Sequence, residues 1–124
     1  MTILTCLMLV AALLPALIAF TAKAGGRAFD NNEPRAWLAS QQGWRARANA
    51  AQANTFEALP FFYAALLLAL HNGADPAYLA SLAGAWLVLR VAYVGLYLAR
   101  LGALRSLAWA AAVALNIAML FAGA

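Results

Sequence analysis

Four long apolar stretches are the feature that most constrains how this chain folds. They cover residues 3–22, 44–70, 77–101 and 107–124. Since a helix of about 20 residues spans the hydrocarbon core of a bilayer, each stretch is long enough to cross a membrane. Hydrophobic residues make up 67% of the chain and charged residues only 10%, too few to cover the surface of a soluble fold. The sequence therefore predicts an all-α membrane protein, a single bundle of four transmembrane helices.

The first stretch has a competing interpretation as a signal peptide. Ala22-Lys23-Ala24 resembles a cleavage site with small residues on either side of the cut. However, no lysine or arginine precedes the stretch, and it is longer than the apolar core of most signal peptides. We therefore expect it to be retained as a helix.

The connections between the stretches predict how the helices follow one another. Residues 25–43 are rich in turn-forming residues and predict one long polar loop. The short segment from His71 to Pro76 predicts antiparallel second and third helices, with Asp75 as the N-cap of the third. Gly102 marks the break before the fourth helix, which we expect to be mostly lipid-facing or in contact with another subunit.

The basic residues predict the orientation of the bundle in the membrane. Seven of the eight lie in the first and third loops or in the helix ends that flank them: Lys23, Arg27, Arg35, Arg45, Arg47, Arg100 and Arg105. Because basic loops stay in the cytoplasm, we expect both termini on the opposite side, which is the periplasm in a bacterial inner membrane. The basic excess is thus explained by topology and does not indicate nucleic-acid binding.

Three polar residues lie well inside the second and third stretches, where lipid makes them costly. Asn54 and Glu57 belong to the second stretch and Arg90 to the third. Glu57 and Arg90 both lie roughly 15 Å from the side of the membrane that carries the basic loops, which predicts an ion pair between them. The simpler interpretation is that these side chains only hold the helices together.

Helical spacing predicts that two polar stripes face each other. One stripe contains Arg47, Asn54 and Glu57, and the other contains Arg90, Tyr93, Tyr97 and Arg100. The arginines at the ends exceed the acidic partners within the membrane, so they favour an anionic ligand, lipid headgroups or simple anchoring at the interface. Trp44 and Trp109 are expected at the interface as well. The lone His71 and the single Cys6 indicate neither a metal site nor a disulfide.

The segment RANAAQANTFEALPFF, from Arg47 to Phe62, resembles the second-helix signature of the MAPEG family, the membrane-associated proteins in eicosanoid and glutathione metabolism. Its Asn-x-x-Glu-x-x-Pro core is complete in Asn54, Glu57 and Pro60. The later residues that resemble the family's second signature are Arg90, Tyr93, Tyr97, Arg105 and Ser106. The resemblance covers essentially the whole chain in length and topology.

The resemblance implies four-helix protomers assembled as a homotrimer, with glutathione held between neighbouring protomers near the cytoplasmic side. It implies that Asn54 and Glu57 bind glutathione and that Arg90 supports Glu57. Tyr93 and Tyr97 would line the peptide's pocket, and Arg105 would stabilise the thiolate with Ser106 beside it. Arg100 competes with Arg105 for that role. Where catalytic eukaryotic members carry an arginine this chain has Ala50, so Arg47, one turn earlier, is the remaining candidate for contact with the Glu57 carboxylate.

Two functions compete on this basis. The first is a glutathione-dependent transferase or peroxidase that acts on a lipophilic electrophile entering from the bilayer. The second is a non-catalytic membrane protein that uses the same scaffold to bind a lipid, a small anion or a partner helix. A transporter is less well supported, because the sequence shows no inverted repeat or pair of broken helices.

Overall fold

The computed structural model describes residues 1–124 and contains five helices and no strand. The helices are α1 (Thr2–Lys23), α2 (Pro34–Ala39), α3 (Trp44–His71), α4 (Pro76–Leu98) and α5 (Gly102–Phe121). Four of them, all except α2, are long and apolar enough to cross a membrane. The prediction of an all-helical protein with four membrane-spanning helices is confirmed.

The sequence predicted one long polar loop over residues 25–43, but this segment contains the short helix α2. Pro34 is the first residue of α2, where a missing N–H costs no hydrogen bond. Trp37 fixes the helix against the loop: its indole N–H donates to the carbonyl of Arg27 at 3.2 Å. A helix of six residues has too few turns to show a hydrophobic period, so the sequence pattern could not reveal it.

The turn between α4 and α5 lies earlier than the glycine that was predicted to mark it. Helix α4 ends at Leu98, and Arg100 has a left-handed backbone with φ of 63°. The N–H of Leu101 donates to the carbonyl of Leu96 at 3.0 Å, which closes the helix end. Gly102 is the first residue of α5. Arginine thus occupies the left-handed position after the end of a helix, which glycine usually takes.

The turn between α3 and α4 follows the sequence closely. The Asp75 carboxylate accepts a hydrogen bond from the N–H of Tyr78 at 2.9 Å, and Pro76 is the first residue of α4. The prediction that Asp75 caps α4 is confirmed. The C-terminus of the chain packs beside this turn, because Gly123 lies against Asn72.

Helix packing produces one main core and one basic end. Helix α4 packs most extensively on α5, while α3 contacts α1, α4 and α5. In the main core Phe62 stacks on Trp86 with ring centroids 4.1 Å apart. We call the end where α1 and α4 finish and α3 and α5 begin the basic end. Its side chains cap exposed helix carbonyls: Arg45 donates to Ala22 at 2.8 Å and Arg47 to Leu98 at 3.2 Å.

Candidate functional site

A cleft of about 450 Å³ opens between α3, α4 and α5 toward the basic end. Each of the three helices contributes polar side chains to its wall. The residues that line this α3/α4/α5 cleft are Ala50, Ala53, Asn54, Glu57, Tyr93, Tyr97, Arg105, Ser106 and Trp109. Its size is within the range of cavities that hold a small organic ligand.

The cleft combines one carboxylate, one guanidinium and several neutral hydrogen-bonding groups. Glu57 carries the carboxylate and Arg105 carries the guanidinium. The Arg105 guanidinium lies 4.5 Å from the centroid of the Tyr97 ring, a cation–π distance. Tyr93 meets Tyr97 edge to face, with centroids 5.9 Å apart. A ligand with a positive group and a negative group therefore finds an opposite charge for each.

Arg90 does not pair with Glu57, so that prediction is wrong. Its guanidinium Nη2 donates to Asn54 Oδ1 at 3.0 Å and to Thr55 Oγ1 at 2.9 Å, and no ion pair is present anywhere in the chain. The reason is direction on α3: with 3.6 residues per turn, Glu57 projects roughly 110° away from the midpoint between Asn54 and Thr55. Arg90 is buried at 1% exposure between the helices, whereas Glu57 lies on the exposed side of α3.

The bond from Arg90 fixes the orientation of the Asn54 amide. Because Oδ1 accepts the arginine proton, the Nδ2 group of Asn54 is left to donate elsewhere. Asn54 also lines the cleft. A ligand carbonyl or carboxylate in the cleft is therefore the natural acceptor for this group. Arg90 further lies 4.3 Å from the centroid of the Tyr93 ring, so it supports a second wall residue as well.

Of the nine residues singled out in the sequence, the structure brings six into the cleft. They are Asn54, Glu57, Tyr93, Tyr97, Arg105 and Ser106. Arg90 lies behind the wall, in contact with Asn54. Arg47 and Arg100 line a smaller neighbouring cavity of about 230 Å³, which also includes Arg105. Of the two arginines that compete for the thiolate role, only Arg105 therefore shares a cavity with Glu57.

An apolar groove of about 270 Å³ continues from the cleft between α3 and α5. Ala58, Phe61 and Val113 form its apolar walls, and Asn54, Glu57 and Trp109 belong to both spaces. Asn116 also lines the groove and is only 3% exposed, with an Oδ1 that has no hydrogen-bond partner. Helix α5 is thus a wall of the site as well as a surface helix.

Two residues near the site were missed by sequence reasoning. Thr55 accepts from Arg90 and donates to the carbonyl of Ala51 at 2.8 Å. A buried threonine gives no distinctive signal, although its position next to Asn54 in a polar segment was a hint. Trp109 was assigned to the membrane interface, yet it lines both the cleft and the groove. Its position four residues after Arg105 places both on one face of α5 and could have revealed this.

Glu57 also borders a cavity on the other side of α3. This space of about 530 Å³ lies toward α1 and α2, and its basic residues are Lys23 and Arg35. Glu57 therefore stands where the cleft, the groove and this cavity meet. A carboxylate at such a junction is accessible from several directions.

Comparison with known proteins gives one match. The model of the MAPEG family matches residues 1–124, which is the whole chain. No curated protein and no solved structure matches the chain.

Proposed function

The chain belongs to the MAPEG family, and we propose that it is a glutathione-dependent transferase or peroxidase that acts on lipophilic electrophiles within the membrane. The observation that carries the proposal is the α3/α4/α5 cleft, where Asn54, Glu57 and Arg105 line one space. The family association with glutathione supplies the ligand, and the side chains of this cleft supply the chemistry.

The polar groups of the cleft suit an anionic peptide with one amine. Glu57 is the acceptor for the ammonium group of glutathione, and the Nδ2 group of Asn54 is a donor to one of its carboxylates or carbonyls. The hydroxyls of Tyr93 and Tyr97 are further donors. Arg90 is a positioning residue in this proposal, because it holds the Asn54 amide and does not line the cleft.

Arg105 is the residue that we assign to the thiolate. A guanidinium beside the sulfur stabilises the thiolate, which is the nucleophilic form. Ser106 is the next residue on α5, and its hydroxyl is a second donor. In the transfer reaction the sulfur attacks an electrophilic carbon, so a carbon–sulfur bond forms as the bond to the leaving group breaks.

The groove supports the proposal because it offers an apolar electrophile a route to the sulfur. Phe61, Val113 and Ala58 give it apolar walls, and Trp109 links it to the cleft. A lipophilic molecule that enters between α3 and α5 therefore meets these apolar walls on its way to the polar cleft.

We further propose that the cleft is completed by a second copy of the chain, in the homotrimer that the family resemblance implies. Glu57 is exposed near the middle of α3, and no basic side chain of the same chain pairs with it. A carboxylate left facing lipid is costly, by roughly 2.5–3.5 kcal/mol at a helix centre on an insertion scale. A neighbouring copy removes this cost if it covers Glu57. We also propose that the basic end faces the cytoplasm, since it carries most of the arginines.

A non-catalytic binding protein is the second candidate, and the observation that favours it is Ala50. This small side chain lines the cleft at the position where catalytic eukaryotic relatives carry an arginine. The cleft accordingly has one guanidinium instead of two. Binding of glutathione without thiolate formation would favour this candidate.

Calorimetry with glutathione on the detergent-purified protein, paired with an ultraviolet difference spectrum for the thiolate, tests the proposal. We expect binding together with a thiolate band. S-methylglutathione is the matched ligand, because it retains the peptide groups but has no ionisable thiol. It is expected to bind without the band. Absence of heat at millimolar concentrations of either ligand would contradict the proposal.

A further inference from the structure

Three arginines from different parts of the chain meet in the smaller cavity beside the cleft. Arg47 comes from the first turn of α3, Arg100 from the α4–α5 turn and Arg105 from the first turn of α5. The remaining lining residues are Leu96, Tyr97, Leu101 and Gly102, so no acidic side chain lines this basic cavity. The cavity therefore combines a concentrated positive charge with an apolar rim.

Arg100 occupies this position in spite of an unfavourable backbone. Its φ of 63° lies in the left-handed region, where a side chain crowds the following carbonyl and glycine is preferred. The N–H groups of the turn donate to backbone carbonyls: Arg100 N–H donates to Tyr97 at 3.1 Å and Leu101 N–H to Leu96 at 3.0 Å. The turn itself therefore does not need the arginine side chain. Strain of this kind occurs at functional sites, where the side chain has another role.

One hydrogen bond, donated by its Nε–H group, holds Arg47 at the cavity. Its Nε–H donates to the carbonyl of Leu98 at 3.2 Å, a bond that uses neither of the two terminal NH2 groups. This bond places the guanidinium at the C-terminus of α4, beside the α4–α5 turn that contains Arg100. The two arginines lie outside the α3/α4/α5 cleft, so the proposed thiol chemistry does not account for them.

We propose that Arg47 and Arg100, with Arg105 at the inner wall, form a binding site for a phosphate group beside the glutathione cleft, with which it shares Tyr97 and Arg105. Guanidinium groups pair with phosphate oxygens through parallel hydrogen bonds, which makes arginine the preferred residue for this anion. A volume of about 230 Å³, half that of the cleft, suits a compact oxyanion head. The phosphate comes either from a phospholipid headgroup at the basic end of the bundle or from a free phosphate ion, and Leu96 and Leu101 offer apolar contact only to the lipid.

The test compares Arg100→Gln with Arg27→Gln as the matched control. Both changes remove one positive charge at the basic end, but Arg27 is exposed in the loop and does not line the basic cavity. Native mass spectrometry of the protein with phosphatidylglycerol or phosphatidylcholine measures lipid retention, and calorimetry measures inorganic phosphate. We expect the wild-type protein and Arg27→Gln to bind phosphate or phosphatidylglycerol equally, and Arg100→Gln to bind at least fivefold less.

The two phosphate sources give different results. If the lipid is the ligand, phosphatidylglycerol is retained in excess of phosphatidylcholine even in millimolar inorganic phosphate, because the arginines repel the choline cation that accompanies the phosphate of phosphatidylcholine. If the free ion is the ligand, calorimetry shows phosphate binding and the lipid preference is absent. Equal loss in Arg27→Gln and Arg100→Gln, or equal binding in all three proteins, would overturn the proposal, because charge alone or no site at all would then explain the data.

A second variant separates the side chain from the turn. Arg100→Gly relieves the left-handed strain, so we expect a midpoint of thermal unfolding equal to or above that of the wild type, together with the same fivefold loss of phosphate or lipid binding. A clear fall in the unfolding midpoint would show that the arginine side chain serves the fold and would overturn the assignment. The test does not depend on glutathione, so it stands apart from the proposed enzymatic activity.

Discussion

At the scale of single residues, the contact between Arg90 and Asn54 links the interior of the bundle to the cleft. Arg90 is 1% exposed and uses Nη2 for two acceptors on α3, while its Nε has no partner. The buried arginine is therefore held by neutral groups instead of a carboxylate. This leaves Glu57 free on the exposed face of α3, where a ligand or a second copy can reach it.

Asn54→Asp separates these two roles of residue 54. The aspartate still accepts from Arg90, so we expect the unfolding midpoint to be unchanged or higher. It cannot donate to a ligand, and a lost hydrogen bond to a charged group is worth about 1.5–3 kcal/mol, so glutathione affinity should fall by roughly one to two orders of magnitude. Calorimetry and a thermal melt on the same sample check both. Asn31→Asp, in the exposed loop, has the same change of charge and should leave the affinity unaltered.

Arg105→Ala and Arg100→Ala decide which arginine stabilises the thiolate. Only Arg105 lines the same cleft as Glu57, so we expect its loss to remove the thiolate band from the ultraviolet spectrum of the glutathione complex. S-methylglutathione should bind with less change, because it has no thiolate. Arg100→Ala should keep the band. A band lost in Arg100→Ala and kept in Arg105→Ala would reverse the assignment.

The sequence predicted which residues line the cleft better than it predicted the hydrogen-bond partners of those residues. Helical spacing places Asn54 and Glu57 on one stripe and Tyr93 and Tyr97 on another, and these four side chains line one space. Spacing does not decide which of several neighbouring acceptors a long arginine reaches. That choice depends on how each helix is rotated about its axis and on how deeply each acceptor is buried, and no spacing pattern in the sequence gives either quantity.

At the scale of helices, α2 closes the loop over the basic end. Trp37 packs on Gly26 and meets Phe29 edge to face at 5.1 Å, and the Arg45 guanidinium lies 5.9 Å from its ring centroid. Its neighbour Leu38 is buried against Ala22 and Ala48. One tryptophan and one leucine thus attach the short helix to α1 and α3.

Gly26→Ala is expected to release α2 from this position. An added methyl group would overlap the Trp37 ring, and overpacking of this kind costs about 1–3 kcal/mol. Trypsin should therefore cut faster at Arg27 and Arg35, which is followed by gel electrophoresis of the reconstituted protein. Gly102→Ala is the control, since nothing lies within 4 Å of the added atom. Equal cleavage rates in the two variants would show that Trp37 does not hold the loop.

The long helices could be predicted and the short one could not. A membrane-spanning helix is recognised in a sequence by its length and apolar content, so the four spans could be predicted. The end of α4 was placed too late because Arg100, not Gly102, takes the left-handed position. Hydrogen bonds around the turn select that residue, and arginine carries no signal for it.

At the scale of the whole molecule, the distribution of charge defines two unlike ends. The basic end holds seven of the eight cations, and the other end holds the α3–α4 turn and both termini. The proposed glutathione cleft and the basic cavity both lie toward the basic end. If this end faces the cytoplasm, the cleft opens to the compartment that contains the soluble thiol.

Labelling of single cysteines tests this orientation. In a Cys6→Ala background, Ser40→Cys and Asn72→Cys place exposed thiols at opposite ends of the bundle. A membrane-impermeant maleimide should label Ser40→Cys only in inverted vesicles and Asn72→Cys only from outside intact spheroplasts. The reverse pattern would contradict the assignment of the basic end to the cytoplasm.

The oligomeric state is tested by the mass of the protein in native mass spectrometry. We expect about three times the 13.1 kDa of the chain. If a neighbouring copy meets Glu57 with a cation, Glu57→Gln should reduce the trimer fraction at low protein concentration. An unchanged fraction in Glu57→Gln would mean that ligand, and not subunit, is the partner of this carboxylate.

An electron cryomicroscopy structure of the protein in a lipid nanodisc with glutathione tests most directly whether the α3/α4/α5 cleft binds glutathione. We expect ligand density in the α3/α4/α5 cleft, with the amine end at Glu57, contact to the Asn54 amide and the sulfur beside Arg105. An empty cleft at saturating glutathione, or density with the sulfur away from Arg105, would contradict the proposal.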